Sequence, residues 1–493
     1  MVTDTRSNSW RRFGLIILFA LVVHLAGTVF LPLVDRDEPR FAEATREMLE
    51  RHDYLVPHFN NGYRFDKPIL IYWCQAVFLS ILGNGRWFGE FAVRLPSVLA
   101  AALTAGVLYR FGRRASRESV GIWAALIFTT SLQTIVHAKM AVADFVLILF
   151  MTLGAWAGWE LIVDCDNPDA ARGMRNRWWW LFYLSLAMAF LAKGPLAWLP
   201  YFVVLICLQK NPSGLSMIRP ISGLLLMLTV VGLWGIPALL ATDGEFFRIG
   251  IGRHVVQRSV GTLEGHGASH WLGYLAMLPF YFGTVFASFF PWSWYLPALI
   301  KSRREIVNRP RFETFLLTGI LLTFGIFSLI RTKLPHYTLP CFPLLSLWMA
   351  AYLPVADGNH LPFRRTLVRM TAFALVVGWI LIPWIAPLFP SERLYQQSES
   401  WLRPDMEFAS LDYDEPSLVW CFRRKIHGWH HPVPPEGLAP FMAQPGPRFC
   451  ILPTDQIPNV LHTLPTSWKT CRTAGLNLVH FKRVDLTLVL KPE

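Results

Sequence analysis

Long apolar blocks with almost no charge set the fold of this chain. Residues 13–33 contain one histidine and no formally charged side chain. A helix of about 20 such residues is long enough to cross about 30 Å of hydrocarbon. The recurrence of these blocks indicates an all-α polytopic membrane protein with about eleven to thirteen helical spans. Long blocks lie at 91–109, 120–136, 145–163, 220–241, 271–299, 313–330, 338–353 and 366–389, and shorter ones at 178–192 and 195–208.

The composition supports this class and bears on the choice of partners. Hydrophobic residues make up 53% of the 493 residues and charged residues only 16%, against about 25% charged residues in soluble domains. The formal charge of +13 suits either a nucleic-acid-binding surface or cytoplasmic loops that set membrane topology. The chain has no zinc-finger spacing and no long basic helix, so we expect topology signals and no nucleic-acid partner.

The N-terminus predicts a retained first span with its start in the cytoplasm. Arg6, Arg11 and Arg12 precede an apolar core of about 20 residues, and no small-x-small cleavage site follows. A cleaved signal peptide is the alternative. With the N-terminus inside, the short run 69–83 is expected to lie in the membrane interface, because a crossing there would place the arginines of 110–117 outside.

This threading divides the chain into two domains. Residues 1–390 form the transmembrane domain, in which 34–90 is a first outer loop with interfacial helices. Residues 391–493 are expected to form a small extracytoplasmic α/β domain, in which Cys450 and Cys471 either pair or stay free. No internal repeat is visible, which disfavours a transporter built from inverted repeats. Strand-like runs lie at 417–422, 448–452 and 485–490.

Ionisable residues gather in four segments that the threading places outside. Such residues are costly near a membrane and are therefore candidates for function. Lys and Arg bind a lipid-linked phosphate and stabilise it as a leaving group, while a carboxylate orients or deprotonates a nucleophile. The segments are 35–43 with 64–68, Lys139 with Asp144, 253–258, and 331–337.

Each motif also has a purely structural interpretation. Asp37-Glu-Pro39 is a typical helix start, with carboxylates at the positive end and Pro in the first turn. Lys67 and Lys333 suit lysines that snorkel to the interface, His254 suits an ordinary loop histidine, and Asp144 suits a helix cap. The position of all of them on one side of the membrane favours a shared function.

These segments resemble the aminoarabinose transferase family, which are C-type glycosyltransferases related to the protein O-mannosyltransferases. The resemblance runs in order over about 350 residues, which is more specific than any single motif. It rests on Asp37-Glu-Pro-Arg-Phe-Ala-Glu43, Arg46-Glu-Met-Leu49, Tyr54-Leu-Val-Pro-His58, Phe65-Asp-Lys-Pro68, Phe91-Ala-Val-Arg-Leu-Pro96, Lys193-Gly-Pro195 and Lys333-Leu-Pro-His-Tyr-Thr-Leu-Pro340.

The resemblance implies roles for individual residues. Asp37 and Asp144 match the family's two outer-loop aspartates and are the expected catalytic carboxylates. A divalent metal (Zn, Mg or Mn) is implied between Asp66 and His254. The family usually has Glu at Asp66 and Tyr at Phe41, so both positions depart from its pattern. The residues expected to hold the donor phosphate are Lys67, Arg40, Arg258, Lys333 and Tyr337.

The resemblance further implies an inverting transfer of a sugar from a polyprenyl phosphate. The expected sugar is similar to 4-amino-4-deoxy-L-arabinose, the expected acceptor is a lipid A-type glycolipid, and the expected location is a bacterial inner membrane. A protein O-mannosyltransferase-like enzyme and a transporter of lipid-linked sugars are alternatives. The transporter predicts charges inside the spans, and the long blocks carry almost none.

Overall fold

The chain folds into a helical membrane domain followed by a small mixed domain. The computed structural model describes residues 2–83, 85, 88–167, 172–250, 252, 270–306, 310–353, 361–461 and 464–493. Helix α1 continues past its apolar core toward the N-terminus, because the preceding polar residues carry no helix breaker. The first nine α-helices are α1 (Val2–Leu25), α2 (Asp37–Arg51), α3 (Leu70–Leu82), α4 (Phe88–Ala115), α5 (Glu118–Thr130), α6 (Leu132–His137), α7 (Asp144–Asp164), α8 (Arg177–Lys193) and α9 (Leu199–Leu208).

Proline residues break up the remainder of the helical domain. The predicted block 271–299 becomes two short α-helices, a 3₁₀ turn at Trp292–Tyr295 and a further α-helix, since Pro279, Pro291 and Pro297 interrupt it. Another 3₁₀ segment, Pro335–Cys341, leads into a helix. The α-helices here are Pro212–Ile218, Pro220–Ala241, Glu245–Phe247, Trp271–Ala276, Phe280–Ser288, Leu296–Ile306, Pro310–Leu329, Phe342–Tyr352, Leu361–Val376 and Ile382–Ile385.

The polytopic helical class is confirmed by the length and composition of these helices. Among the described residues, six helical segments are long and apolar enough to cross a membrane. Helix α3 has only 13 residues, about 20 Å of helix, which is short of the hydrocarbon thickness. The six segments are Asn8–Leu25, Phe88–Ala115, Asp144–Asp164, Pro212–Ala241, Pro310–Leu329 and Leu361–Leu388.

Small residues let neighbouring spans approach closely. A Cβ added to Gly121 of α5 would lie 2.2 Å from the carbonyl oxygen of Tyr109 in α4. Because lipid tails are as apolar as the side chains, close backbone packing of this kind contributes much of the association between spans. The main core joins α1, α4, α5, α7 and α8 with the helices Pro310–Leu329 and Phe342–Tyr352.

The C-terminal segment is the predicted α/β fold. Its five-stranded sheet has the order β4-β3-β5-β7-β6, with parallel pairing of β3 to β4 and β5 and antiparallel pairing of β7 to β5 and β6. Cys450 and Cys471 are both free thiols, and β7 lies between their strands. The elements of this segment are helix Pro390–Ser398, β3 (Glu407–Ser410), helix Pro416–Phe422, β4 (His430–Pro432), helix Pro435–Ala443, β5 (Arg448–Pro453), helix Ile457–Val460, β6 (Lys469–Asn477) and β7 (Lys482–Lys491). The two other strands, β1 (His58–Phe59) and β2 (Gly62–Tyr63), form a hairpin after α2.

Buried ion pairs connect the C-terminal domain to the segment 34–90. Arg423 pairs with Glu43 of α2, and its Nη2 donates to Glu50 Oε2 at 2.8 Å. Arg424 pairs with Glu90 at the start of α4. Both arginine side chains are 4% exposed. The domain therefore rests directly on the segment in which the sequence places its main candidate site.

Candidate active site

The first turn of α2 carries two carboxylates, of which Asp37 is exposed and Glu38 is buried. Glu38 is fully buried and accepts hydrogen bonds from Arg94 Nε and Nη2, both at 2.9 Å, and from the backbone amide of Ala141 at 2.6 Å. Arg94 also donates to the carbonyl of Thr28 at 3.1 Å. This buried pair connects α2, α4 and the segment after α1, and it fixes the orientation of α2 relative to them.

Asp37 and Arg40 lie beside the Glu38–Arg94 pair, and both side chains are accessible. The Asp37 side chain is exposed at the positive end of α2, where a carboxylate is favoured. Arg40 is half-buried one turn further along the helix. Neither side chain makes a hydrogen bond or ion pair with the described residues. An acid and a cation are thus both available to a ligand at one helix end.

The hairpin after α2 brings a second cation against the site. Arg64 donates from Nε to the Tyr72 hydroxyl at 3.0 Å, pairs with Asp66 Oδ2 at 2.8 Å and lies over the Phe41 ring at 5.1 Å. Burial lowers the pKa of Arg64, but Tyr72, Asp66 and Asp37 outweigh burial and raise it. Arg64 therefore stays cationic. Phe41 packs beneath it as a buried ring.

Lys67 lies next to this arginine, just before α3. Its Nζ donates to the carbonyl oxygen of Asp66 at 3.1 Å, and its side chain is half-buried. Its charge also reaches His336, whose pKa it helps to lower. Lys67 thus lies close enough to the segment that begins at Pro335 to act on it electrostatically.

Asp144 forms a salt bridge with Lys193. The Nζ–Oδ1 distance is 2.6 Å, and the side chains are 10% and 17% exposed. Asp144 is the first residue of α7 and Lys193 the last of α8, so each charge also faces the helix end that favours it. Gly194 follows at a φ of 79°, a conformation that favours glycine. The pair joins the start of α7 to the end of α8, and a catalytic role of Asp144 stays a prediction.

Two histidine rings lie close enough to this pair to be affected by its charges. The His137 and His336 centroids are 5.0 Å apart, and Gln133 Nε2 donates to His137 Nδ1 at 2.9 Å. Burial lowers the pKa of His336 to about 3, although Asp144 opposes the shift. Burial likewise lowers the pKa of His137. Both rings are therefore neutral at neutral pH, and the positive charge beside them comes from lysine.

Two other predicted cations close helix ends. Lys333 Nζ donates to the carbonyls of Phe327 and Ser328 at 2.9 and 2.6 Å, near the end of helix Pro310–Leu329. Lys139 Nζ does the same for α1, donating to Val23 at 2.7 Å and to two further carbonyls. Tyr337 packs its ring on Phe327, with centroids 5.2 Å apart. A role of Lys333 and Tyr337 in phosphate binding stays a prediction.

The expected metal site is not assembled by the described residues. His254 lies outside the described residues, as do Arg253 and Arg258. The Asp66 carboxylate is held by Arg64. In the part of the chain that the structure describes, no group of three or more His, Cys, Asp or Glu side chains has the arrangement of a metal site.

Sequence reasoning missed several residues that the fold brings to this site. The sequence marks Lys193 as part of a motif, but it gives no sign that its partner is Asp144, 49 residues away. For Arg64 the sequence shows only that it belongs to a charged segment. The adjacency of Lys333-Leu-Pro-His336 to other outer loops was the available signal for His336, whereas His137 follows an apolar run and carried none.

The chain is similar in sequence to known sugar transferases. The model of the dolichyl-phosphate-mannose-protein mannosyltransferase family matches residues 66–234. The undecaprenyl phosphate-alpha-4-amino-4-deoxy-L-arabinose arabinosyl transferase of Edwardsiella ictaluri is 30% identical over 388 residues, covering 76% of this chain and 65% of the relative. The enzyme of the same name from Yersinia enterocolitica is 31% identical over 372 residues, covering 74% and 63%. The chain thus spans just under two thirds of the length of these relatives.

Solved structures show the same fold over nearly the whole chain. The crystal structure of ArnT from Cupriavidus metallidurans bound to undecaprenyl phosphate superposes with a TM-score of 0.73 at 19% identity, covering 97% of this chain and 98% of that one. The archaeal oligosaccharyltransferase AglB from Archaeoglobus fulgidus, in complex with an inhibitory peptide and a dolichol-phosphate, gives 0.52 at 11% identity, covering 92% and 70%. At these identities the likeness concerns the fold, which is that of the C-type glycosyltransferases.

Proposed function

We propose that this chain, which is similar in sequence to the aminoarabinose transferases and shares the fold of ArnT, transfers a sugar from a polyprenyl phosphate to an extracytoplasmic acceptor. The observation that carries the proposal is the open pair at the start of α2. Asp37 and Arg40 are available to a ligand. Lys67 follows the neighbouring hairpin, and a second carboxylate, Asp144, forms a salt bridge with Lys193. Asp144 and Asp37 both act on the pKa of His137.

The cations suit a lipid-phosphate leaving group. As the bond between C1 of the sugar and the phosphate oxygen breaks, the electron pair moves onto the phosphate. Arg40 and Lys67 stabilise this charge, and Arg258, Lys333 and Tyr337 are the further phosphate-binding residues of the proposal. Donors that are preorganised around a developing anion favour the transition state over the ground state.

The acceptor oxygen attacks C1 from the face opposite the phosphate, so the configuration inverts. If the acceptor is a hydroxyl, its proton passes to Asp37, which acts as the general base. If the acceptor is a phosphate oxygen it is already anionic, and Asp37 then orients the acceptor and the donor. Asp144 holds Lys193, and this ion pair keeps both side chains in fixed positions.

A lipid A-type glycolipid is the proposed acceptor, and a sugar like 4-amino-4-deoxy-L-arabinose is the proposed cargo. Both follow from the names of the relatives with 30–31% identity. The proposed location is a bacterial inner membrane, with a cytoplasmic N-terminus and residues 391–493 outside. A protein acceptor is the second candidate, because the family model that matches residues 66–234 is that of protein mannosyltransferases.

A turnover assay tests the proposal. Purified full-length chain is given radiolabelled undecaprenyl-phosphate sugars with lipid A or a Ser/Thr-rich protein as acceptor. We expect release of undecaprenyl phosphate, and losses of at least about a hundredfold in Asp37→Asn and Lys67→Ala. Glu436→Gln and Lys482→Ala are the matched controls, because both side chains are exposed on the C-terminal domain.

The outcomes separate the alternatives. Transfer only to the protein acceptor supports the mannosyltransferase-like reading. Turnover that is unchanged in both site variants contradicts the assigned residues. No turnover with any acceptor, while labelled lipid crosses the bilayer of proteoliposomes, makes the chain a transporter.

A further inference from the structure

A groove separate from the candidate active site lies where the first and last spans meet the C-terminal domain. It holds about 840 Å³ of unfilled space, part of which is open to solvent. One wall is apolar and the other carries charged and amide side chains. The apolar wall includes Val29, Leu31, Pro32, Pro383, Ala386 and Pro387, and the polar wall Glu90, Glu392, Arg393 and Gln396.

Aromatic side chains place this groove at the level of lipid headgroups. Trp379 and Trp384, which flank the apolar wall on the last span, are 53% and 80% exposed. Tryptophan is enriched where a span leaves the hydrocarbon and enters the headgroup region. The apolar wall therefore faces acyl chains, and the polar wall faces headgroups.

Glu90 presents an unsatisfied acceptor to the groove. The residue is 5% exposed, and its Oε1 accepts from Trp420 Nε1 at 3.0 Å and pairs with Arg424. Its Oε2 is buried and has no hydrogen-bond partner among the described residues. A buried acceptor on an anion is costly without a donor. Glu90 also lines the adjoining cavity of about 390 Å³.

Arg393 supplies the opposite charge on the same wall. Its side chain is exposed, and its guanidinium makes no hydrogen bond or ion pair with the part of the chain that is described. A guanidinium matches the geometry of a phosphate, to which it donates two hydrogen bonds. The wall thus offers one donor group for a phosphate and one acceptor for a cation.

We propose that this groove binds a membrane phospholipid whose headgroup carries both a phosphate and a primary ammonium. The ammonium donates to Glu90 Oε2, the phosphate accepts from Arg393, and the acyl chains lie along the apolar wall. A quaternary ammonium has no N–H to donate, and a headgroup without an amine leaves Oε2 unsatisfied. The bound lipid connects the first span, the last span and the C-terminal domain, and it takes no part in sugar transfer.

Lipid selectivity of the purified chain tests the proposal. Full-length protein stripped of lipid in detergent is titrated with phosphatidylethanolamine, phosphatidylcholine or phosphatidylglycerol, and bound lipid is counted by native mass spectrometry alongside the melting temperature. We expect phosphatidylethanolamine to bind about tenfold more tightly than the other two, the ratio typical of one charge-assisted hydrogen bond. Equal binding of all three lipids overturns the proposal.

Two variants separate the site from general lipid association. Arg393→Ala removes an exposed side chain that takes no part in domain docking, and we expect it to bind all three lipids more weakly, because each phosphate loses a donor. Glu90→Gln removes the anionic acceptor of the ammonium, and we expect it to lose the preference for phosphatidylethanolamine; this side chain also contacts Trp420 and Arg424. Arg403→Ala is the matched control, since that arginine is 48% exposed on the same domain. Unchanged lipid affinity in Arg393→Ala contradicts the proposal, as does retention only of an amine-bearing glycolipid product.

Discussion

Ser417 donates two hydrogen bonds to the Asp35 carboxylate. Its backbone amide donates to Oδ1 at 2.9 Å and its hydroxyl to Oδ2 at 2.6 Å. Ser417 lies in the first turn of helix Pro416–Phe422, and Asp35 precedes the candidate catalytic Asp37 by two residues. The C-terminal domain therefore holds the very segment that presents the open carboxylate to a ligand.

This contact predicts a dependence of stability on pH. Burial raises the pKa of Asp35 to about 7, although the hydrogen bonds from Ser417 oppose the shift. An acid whose folded pKa lies above its unfolded value binds its proton more tightly when folded. The free energy of unfolding therefore falls as the pH rises from about 4 to about 7, and then levels off.

Asp35→Asn should flatten this dependence. Melting temperatures recorded between about pH 5 and pH 8 are expected to fall in the unchanged chain and to fall less in the variant. Some slope should remain, because burial also raises the pKa of Glu47 to about 7. Glu436→Gln, an exposed acid-to-amide change, is the control. Parallel slopes in Asp35→Asn and the unchanged chain would contradict the assignment.

The Asp144–Lys193 pair predicts that single changes destabilise more than the double change. Removing either partner leaves the other charge nearly buried and unpaired, which costs about 3–5 kcal/mol. Asp144→Asn and Lys193→Met should each lower the melting temperature by several degrees. The double variant should recover much of that loss, because both charges are then gone.

Turnover of the double variant shows whether the Asp144–Lys193 pair has only a structural role or also a role in the chemistry. We expect it to stay at least about a hundredfold below that of the unchanged chain while stability recovers, since Asp144 is a predicted catalytic carboxylate. Recovery of both quantities together would make the pair purely structural. Single-turnover measurements at saturating donor exclude a simple loss of binding.

The sequence predicts the membrane class well because block length alone decides it. It predicts single helices less well. The predicted span 120–136 divides into α5 and α6 at Ser131, and 271–299 divides further where Pro279 and Pro291 interrupt it. Run 417–422 was predicted as a strand and is a helix. A short run in which every residue is apolar and buried shows neither the helical nor the strand periodicity of hydrophobic residues. Pro416, in the first turn, is the feature that indicates a helix.

Only some residues of the candidate site can be predicted from the sequence, and the reasons are physical. Asp37 could be singled out because the run Asp37–Glu43 resembles a local family motif. A lysine has the same local appearance whether it binds a phosphate or closes a helix, and the fold places Lys139 and Lys333 on backbone carbonyls. The Asp144–Lys193 contact joins the ends of two helices, and that register depends on packing along their whole length.

Lys333 offers a direct test of helix capping against phosphate binding. Lys333→Met keeps the apolar stem but removes both hydrogen bonds to the carbonyls of Phe327 and Ser328. We expect a loss of about 1–2 kcal/mol in stability. The KM for the lipid donor should rise less than in Lys67→Ala. A larger rise in KM than Lys67→Ala causes, with an unchanged melting temperature, would instead assign the ammonium to the donor.

The final prediction concerns the docking of the C-terminal domain through Arg423. This arginine pairs with Glu43, donates to Glu50 and lies over the Trp429 ring at 4.1 Å. Arg423→Met leaves buried carboxylates on α2 with fewer partners, which typically costs about 3–5 kcal/mol. Arg46 still pairs with Glu43, so the lower part of that range is expected. Limited proteolysis between 391 and 493 should accelerate, and thermal unfolding should begin earlier.

Arg483→Met is the matched control, because that arginine is exposed on β7. Turnover gives the informative readout. If docking positions the start of α2, Arg423→Met lowers kcat even at temperatures where the variant is folded, because Asp37 and Arg40 are then held less firmly. Faster proteolysis with an unchanged kcat would mean that α2 holds its direction through the Glu38–Arg94 pair alone.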